Sequence, residues 1–353
     1  MTKQTWTAAV AALLFVALAA VIAMVPVPYV TWAAGSTYNL LGFVEADPTA
    51  KPAISIEGAR TYESRGEVRM ATVSVTRPDS DLTLPEALFS YWLPEREVLP
   101  REAVYPPGVN ASEIQDASIR MMDDSQGTAI VAALRVAGVE VVELPMVAWV
   151  TAAGPSNGLL RPGDLITAVD NTPVERREQI QEALAKHAVG DPVKFDLERD
   201  GIALTETVTT RGSTVNPDEP SLGIGLTTGY KYDPTITFGI DPAIGGPSAG
   251  LPFAIAIYDM LTPEQLLAGR VVAATGEIDA NGRVRRIGGV QEKIAAAARD
   301  GATVFLLPSA NCEDAPPPPD GMRLVPVDNL GDALVALDGL DDPDLTATIP
   351  QCA

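Results

Sequence analysis

Apolar and polar positions alternate in different ways along this chain, and each pattern predicts a different element. From Ala8 to Val25 every residue is apolar. Eighteen such residues at 1.5 Å rise make a helix of roughly 27 Å, close to the thickness of a bilayer core. Pro26 and Pro28 end it, and a short linker is expected to about Asp47. Residues 53–76 alternate weakly, with TYES and ATVSV reading as strands. Residues 79–107 are proline-rich and acidic around SYWLP, which fits a loop or a short helix on a surface. Residues 112–138 read as a helix. Its apolar positions Ile119, Met122, Ile130, Ala133 and Leu134 fit one buried side only loosely, and Met121 and Met122 suit core or groove lining.

From about Val139 to Arg211 the period shortens. The runs VEVVEL and MVAWV are followed by LLRPGDLITAVDNTPV, then by a polar helix, VERREQIQEALAKHA. Two strands then meet at Arg199-Asp200-Gly201, where Asp-Gly favours a tight hairpin. Beyond them Thr235–Gly239 is a strand leading into a turn of small residues and an apolar helix, Leu251–Tyr258. A short helix is expected from Thr262-Pro263-Glu264. Val271–Thr275 is a buried strand continued by Gly276-Glu277-Ile278, and Asn281-Gly282 turns the chain back through Arg283–Ile287. Gly288-Gly289 opens a helix, VQEKIAAAARDGA, and Thr303–Leu307 is a further strand.

Charge and composition narrow the classes. Lys plus Arg number 25 and Asp plus Glu 46 among 353 residues, a net charge of −21. Such a chain repels phosphate backbones, so nucleic acid is not the expected partner. Trp6 on one side of the apolar run, and Tyr29 and Trp32 on the other, suit the two membrane interfaces. Lys3 precedes the run and no further Lys or Arg occurs until Lys51, which favours a cytoplasmic start and a single-pass protein of the cell membrane with its bulk outside. A cleaved signal peptide is the competing reading, with Ala33-Ala34-Gly35 as its small-residue site. Neither Cys312 nor Cys352 has a metal-ligand neighbour at useful spacing. Outside the membrane the pair can form a disulfide tying the C-terminal tail to the body, or remain as two free thiols.

The chemistry concentrates at GIDPAIGGPSAGLPFA, residues 239–254. Ser248 stands where a tight loop becomes a helix N-terminus, whose unpaired N–H groups can hold an oxyanion beside a nucleophilic hydroxyl. A helix cap is the structural alternative. A serine needs a base. The one histidine, His187, closes the polar helix at 174–188, where capping carbonyls accounts for it, and a single histidine excludes a multi-histidine metal centre. Lysine is the remaining base, provided desolvation lowers its pKa by several units. Lys293 fits, with Ile294 and alanines after it; the alternative is a solvated lysine beside Glu292.

Taken in order, GGPSAG, TGEID with its hairpin, and IGGVQEK resemble the proteolytic domain of the Lon protease family, most nearly its membrane-anchored, PDZ-containing bacterial members. The resemblance implies that Ser248 is the nucleophile, Lys293 the general base and Thr275 a hydrogen-bond partner of that lysine. Gly246, Pro247 and Ala249 would form the oxyanion-hole turn. ATP-dependent members carry an aspartate three residues before the serine, where this chain has Gly245. The sequence contains no GxxxxGK[ST] phosphate loop. The segment LLRPGDLITAVDNTPV resembles a PDZ domain of the bacterial protease-associated kind. PDZ domains bind extended peptide ends by strand addition. By that analogy the groove lies between VEVVELP and the helix near Gln179–Leu184, with Glu140, Val141, Val142, Glu143 and Leu144 near the carboxylate-binding loop.

The expected fold is α+β: a transmembrane anchor at 1–30, a linker and poorly legible part at 31–137, a PDZ-like domain at 138–212, a Lon-type proteolytic domain at 213–345 and a tail at 346–353. The resemblance implies a two-layer α/β arrangement, also found in some small-molecule kinases, for the proteolytic part. Whether residues 45–137 join the proteolytic domain, with the PDZ unit inserted, stays open. The expected function is that of an ATP-independent, membrane-anchored serine endopeptidase with a Ser-Lys dyad, acting on peptides or exposed segments of extracytoplasmic proteins. It needs no cofactor and no metal, and the resemblance implies a homo-oligomer. The alternative is an inactive, membrane-anchored PDZ adaptor that only binds peptides. A phosphate-binding enzyme is a third class, because glycine-rich turns before helices also hold phosphate.

Overall fold

The computed structural model describes residues 3–43, 51–93 and 95–352. In chain order the main elements begin with helix α1 (Lys3–Met24) and strands β1 (Tyr29–Asn39), β2 (Ile54–Glu57) and β3 (Glu67–Val75). Helix α2 (Leu84–Tyr91), strand β4 (Arg96–Pro100) and helix α3 (Ala111–Val136) follow. Next come β5 (Val142–Val150), β6 (Leu165–Val169), α4 (Arg177–Leu184), β7 (Pro192–Arg199), β8 (Ile202–Thr209) and β9 (Ile224–Lys231). The last part holds β10 (Thr235–Phe238), α5 (Gly250–Leu261), β11 (Val271–Ala274), α6 (Val290–Arg299), β12 (Val304–Pro308), β13 (Arg323–Val327) and α7 (Leu330–Gly339). The chain divides into two compact units, residues 1–137 with 234–353, and residues 138–233.

In the first unit six strands form one sheet in the order β13-β12-β11-β3-β1-β4. β13, β12, β11 and β3 run parallel, and β1 runs antiparallel to both β3 and β4. The N-terminal segment therefore supplies half of the sheet whose other half comes from beyond residue 234, so 51–137 and 234–352 share one core. The parallel strands are buried on both faces, which is why VFLLP at 304–308 is apolar throughout. Helix α6 packs Val290, Ile294 and Ala297 onto Ala71, Ala273 and Phe305. Its alanines, Ala296 and Ala297, let it lie close to the strands. Helix α5 is apolar from Gly250 to Ile257, and all eight of those residues are buried, as a helix enclosed by sheet and other helices requires. Cys312 and Cys352 are joined by a disulfide with Cα atoms 5.2 Å apart, and Cys352 sits in the core under α6.

The second unit is an antiparallel sheet, β8-β7-β6-β5-β9, with α4 beside it. Val147, Ile166, Phe195, Leu197 and Val208 from its strands and Ile180 from α4 make its core. Alternation in β7 is regular: Val193, Phe195 and Leu197 point inward and are buried. Because β9 pairs along the whole of β5, from Ile224 with Val150 to Lys231 with Val142, the boundary expected at 212/213 moves to 233/234.

Other expectations change. The linker after Pro28 is instead β1, an interior strand of the first sheet; its expected end at Asp47 lies outside the described residues. TYES at 61–64 is not a strand, and Thr262-Pro263-Glu264 starts no helix. Trp32, expected at a membrane interface, has a packing partner inside the first unit. It lies on β1 against Gly288 and Gly289. Helix α1 carries a 21-residue stretch, Gln4–Met24, of mean hydropathy 2.6 with none of it buried, long and apolar enough to cross a membrane.

Candidate active site

The turn at Ser248 is held from two sides. Gly246, at φ +100°, turns the chain into the short 3-10 segment Pro247–Ala249 that runs directly into α5. Only glycine adopts that conformation without strain. From α3, the Ser118 carbonyl accepts from the Gly246 N–H at 3.1 Å, and Ser125 Oγ donates to the Pro247 carbonyl at 3.0 Å. From the end of β11, the Gly276 N–H donates to the Ser248 carbonyl at 2.9 Å, while the Leu251 N–H donates to the Gly276 carbonyl at 3.0 Å. Phe238, closing β10, packs its ring 4.7 Å from that of Phe253 in α5 and so fixes both ends of the intervening loop.

Lys293 approaches from α6. Gly289, in the left-handed region at φ +69°, starts that helix, and the Lys293 N–H donates to the Gly289 carbonyl at 3.1 Å. The side chain leaves the packed face of the helix and is only 4% exposed. Its Nζ lies 2.8 Å from Ser248 Oγ and 3.2 Å from Thr275 Oγ1. Thr275 is fully buried, and its hydroxyl donates to the Ser248 carbonyl at 3.2 Å. With its one proton spent there, Thr275 can only accept from the lysine. Burial lowers the Lys293 pKa from 10.5 to about 7, against a smaller upward pull from the Glu292 carboxylate. An amine in this position is therefore substantially neutral near pH 7. One of its N–H groups is directed to Thr275, which leaves the lone pair for the serine proton.

Three of the residues expected to act together, Ser248, Lys293 and Thr275, thus meet at one point. Ser248 and Lys293 open on a cleft of about 810 Å³ in the first unit, walled by β1, β3, α3 and the 243–249 turn. Of the expected oxyanion turn, Pro247 has no N–H and that of Gly246 is already bonded to Ser118. The donors left are those of Ser248 and Ala249, at the first turn of a helix with no side-chain cap. His187 belongs to the second unit. Its Nδ1 lies 3.1 Å from the Ala183 carbonyl and its Nε2 3.1 Å from Asp170, so both ring nitrogens are engaged. Sequence reasoning missed Ser118, Ser125 and Trp32, which come from segments far from the serine and carry no local motif.

A groove in the second unit lies apart from the expected residues Glu140–Leu144. Val142, Glu143 and Leu144 lie in β5, and Glu140 and Val141 lead into it. β5 is paired with β9 along its length and with β6 at Met146. Of the two edge strands, β8 and β9, it is β9 that lies beside α4. A groove of about 510 Å³ runs between β9 with its lead-in, Glu219–Leu226, and helix α4 at Arg177, Ile180, Gln181 and Leu184. Glu143 and Leu144 instead line a smaller cavity of about 240 Å³ near the start of α4.

A serine and a desolvated lysine at a helix mouth, on a mixed α/β domain, define a class of hydrolytic site, and comparison with known proteins identifies the domain. Residues 239–337 match the Lon protease (S16) C-terminal proteolytic domain, and residues 117–210 match the PDZ domain. The chain carries a Lon-type proteolytic domain and a PDZ domain. Among similar proteins, the Lon protease of Rhizobium meliloti (strain 1021) is 33% identical over 142 residues, 34% of this chain and 17% of that protein. Lon protease 1 of Myxococcus xanthus is 41% identical over 103 residues, 28% of this chain and 12% of its own length. The matched part thus spans less than a fifth of either relative. The crystallised PDZ domain of the SdrC-like protein from Listeria monocytogenes aligns with 24% of this chain and 86% of its own, at 23% identity and a TM-score of 0.22.

Proposed function

We propose that this protein is a membrane-anchored serine endopeptidase that works without ATP, with Ser248 as nucleophile and Lys293 as general base. The observation that carries the reading is the 2.8 Å approach of a buried Lys293 Nζ to Ser248 Oγ. Neutral Lys293 takes the serine proton as Oγ attacks a peptide carbonyl. The oxyanion rests on the Ser248 and Ala249 N–H groups, and Lys293 returns the proton to the departing amine. Water then attacks the acyl-enzyme, with Lys293 accepting its proton and passing it back to Ser248. Thr275 holds the amine in register. Cys312–Cys352 suits an oxidising space outside the cytoplasm, as does an N-terminal apolar helix preceded by Lys3.

The substrate would enter as an extended strand. β3 pairs with β11 only as far as Met70, and from Ala71 to Val75 its sole partner strand among the described residues is β1. The other edge of that stretch faces the cleft, where Thr72, Val73 and Val75 form part of the wall. A peptide added there would run past Ser248 with its carbonyl groups in a fixed plane. ATP independence is part of this reading because the sequence holds no GxxxxGK[ST] phosphate loop, and the enzyme would act on peptides and exposed segments.

The test is labelling of the full chain with a serine-directed fluorophosphonate, with the modified peptide located by mass spectrometry. Attachment at Ser248, lost in Lys293→Ala and unaffected by ATP, is the expected result. A folded wild-type protein that takes no label would favour the non-catalytic peptide-binding adaptor.

A further inference from the structure

Helix α2 is built inside out. An ordinary surface helix turns its apolar stripe toward the core. Here LPEALFSY buries the small Ala87 and Ser90, while Leu88, Phe89 and Tyr91 face outward. Trp92, directly after the helix, is 75% exposed, Tyr91 72% and Phe89 60%. The helix bears a single charge, Glu86. Its carboxylate is turned back on the helix start, accepting from the Thr83 N–H at 2.9 Å and the Thr83 hydroxyl at 2.7 Å. The outer face therefore offers three aromatic rings and a leucine in one turn and a half, with no charge among them.

The position of this face selects its occupant. Pro26–Val27, two residues beyond the end of α1, pair antiparallel with Leu82–Thr83, which lead straight into α2. Helices α1 and α2 are in contact. The apolar face of α2 thus lies at the level where the long apolar helix ends. Trp and Tyr with Phe and Leu, on a helix lying beside a span, are the residues that settle at the boundary between headgroups and acyl chains.

We propose that α2 is a membrane foot: its Leu88, Phe89, Tyr91 and Trp92 insert into the interfacial layer of the bilayer that α1 spans. This rests on the reading of α1 as a membrane anchor. The absence of lysine and arginine on α2 points to a zwitterionic lipid surface, since anionic headgroups gain no partner there. The foot gives the proteolytic unit a second point of attachment. A span alone leaves a domain free to swivel, whereas a span and a foot fix one orientation. β1, which carries Trp32 into the cleft wall, begins within a few residues of the end of α1. Trp32 is eight residues beyond Met24, so the cleft wall is held within roughly 26 Å of the bilayer by chain length alone.

The experiment uses the full chain in phosphatidylcholine liposomes, with nitroxide labels on single introduced cysteines and the native disulfide intact. Leu14→Cys reports the span, Phe89→Cys and Trp92→Cys the foot, and Val335→Cys an exposed site on α7. Accessibility to oxygen relative to a water-soluble nickel complex is read at each. The expected result is a ratio severalfold higher at 89 and 92 than at 335, with position 14 higher still. Lipid-like values at 14 but water-like values at 89 and 92 overturn the foot and leave the anchor standing. Water-like values at 14 overturn the anchor reading itself. Spin–spin broadening at 89 between labelled copies, abolished by dilution with unlabelled protein, assigns the face to a second copy and overturns the lipid assignment.

Discussion

Ser118 Oγ stands where a side chain on Gly245 would have to be: a Cβ built on that glycine falls 1.9 Å from the hydroxyl oxygen and 2.8 Å from Ser118 Cβ. Rotating the hydroxyl away relieves only the first clash. The loop before the serine is therefore pressed onto α3, and the position that carries an aspartate in ATP-dependent Lon proteases has no room for one here. Replacing Gly245 with Asp should displace the Ser248 turn and lower kcat/KM by about a hundredfold, the scale of loss expected for an ångström of misplacement. Adding Ser118→Gly should recover part of it. Steady-state cleavage of a fluorogenic peptide by the single and double variants decides the matter, and wild-type kinetics in Gly245→Asp would show that the contact constrains nothing.

In the proposed mechanism Thr275 orients Lys293 and takes no part in bond making. Its hydroxyl both donates to the Ser248 carbonyl and accepts from Lys293. Thr275→Val keeps the shape and removes both bonds. At about 1 kcal/mol or a little more for each, kcat should fall roughly ten- to thirtyfold with KM little changed. Thr275→Ser, which restores the hydroxyl, should recover most of the rate. An unaltered kcat in the valine variant would remove Thr275 from the site.

What could be read from the sequence followed from where the chemistry is local. Ser248 with its glycines, and Lys293 in IGGVQEK, are contiguous runs whose residue types are dictated by a turn, a helix start and a dry packed face. The strand β1 was not legible. YVTWAAGSTYN lies between two neighbouring strands and is half-covered along most of its length, so no two-residue alternation is written into it. Its pairing with β3 and β4 joins segments tens of residues apart, which no local window contains. The same holds for β9: IGLTTGYK is rich in glycine and threonine and finds its place only by pairing with β5 from the far end of the unit. With β9 at that edge, the groove beside α4 is lined by β9 and its lead-in rather than by Glu140–Leu144. Trp32 was legible as an aromatic near an apolar run, yet packing on Gly288 and Gly289 puts it in the cleft wall.

The disulfide closes a stretch of chain with a sequence separation of 40. Chain-entropy arguments put the stabilisation from such a closure at about 4 kcal/mol as an upper figure. Cys352 also lies in the core beneath α6, so freeing the tail exposes apolar surface beside the helix that carries Lys293. The paired change Cys312→Ser with Cys352→Ser should lower the midpoint of urea unfolding of the first unit, and dithiothreitol should do the same to the wild type but not to the variant. Equal midpoints for wild type with and without reductant would mean that the bridge adds no stability.

Lys293 makes both activity and stability rise with pH, over different windows, and both can be measured. Its folded-state pKa is lowered to about 7 by burial. Below that value the amine is protonated and cannot accept the serine proton, so kcat/KM should rise with pH through a midpoint near 7. The Glu292 carboxylate holds the lysine pKa up, so Glu292→Gln should move that midpoint to lower pH. For stability the sign follows from proton counts. Between about 7 and 10.5 the unfolded chain binds a proton that the folded chain does not, so this group makes stability increase with pH across that window. Below it both forms are protonated, and the folded state carries the full cost of a buried ammonium, on the order of 5 kcal/mol. Lys293→Met removes the charge while keeping the volume. It should therefore stabilise the protein most at pH 6, less at pH 8.5, and hardly at all near pH 11, while abolishing cleavage at every pH. Urea unfolding of wild type and variant at those three values gives the answer: a stability difference that does not change with pH would mean that Lys293 is solvated in the folded protein, and the proton acceptor for Ser248 would have to be sought elsewhere.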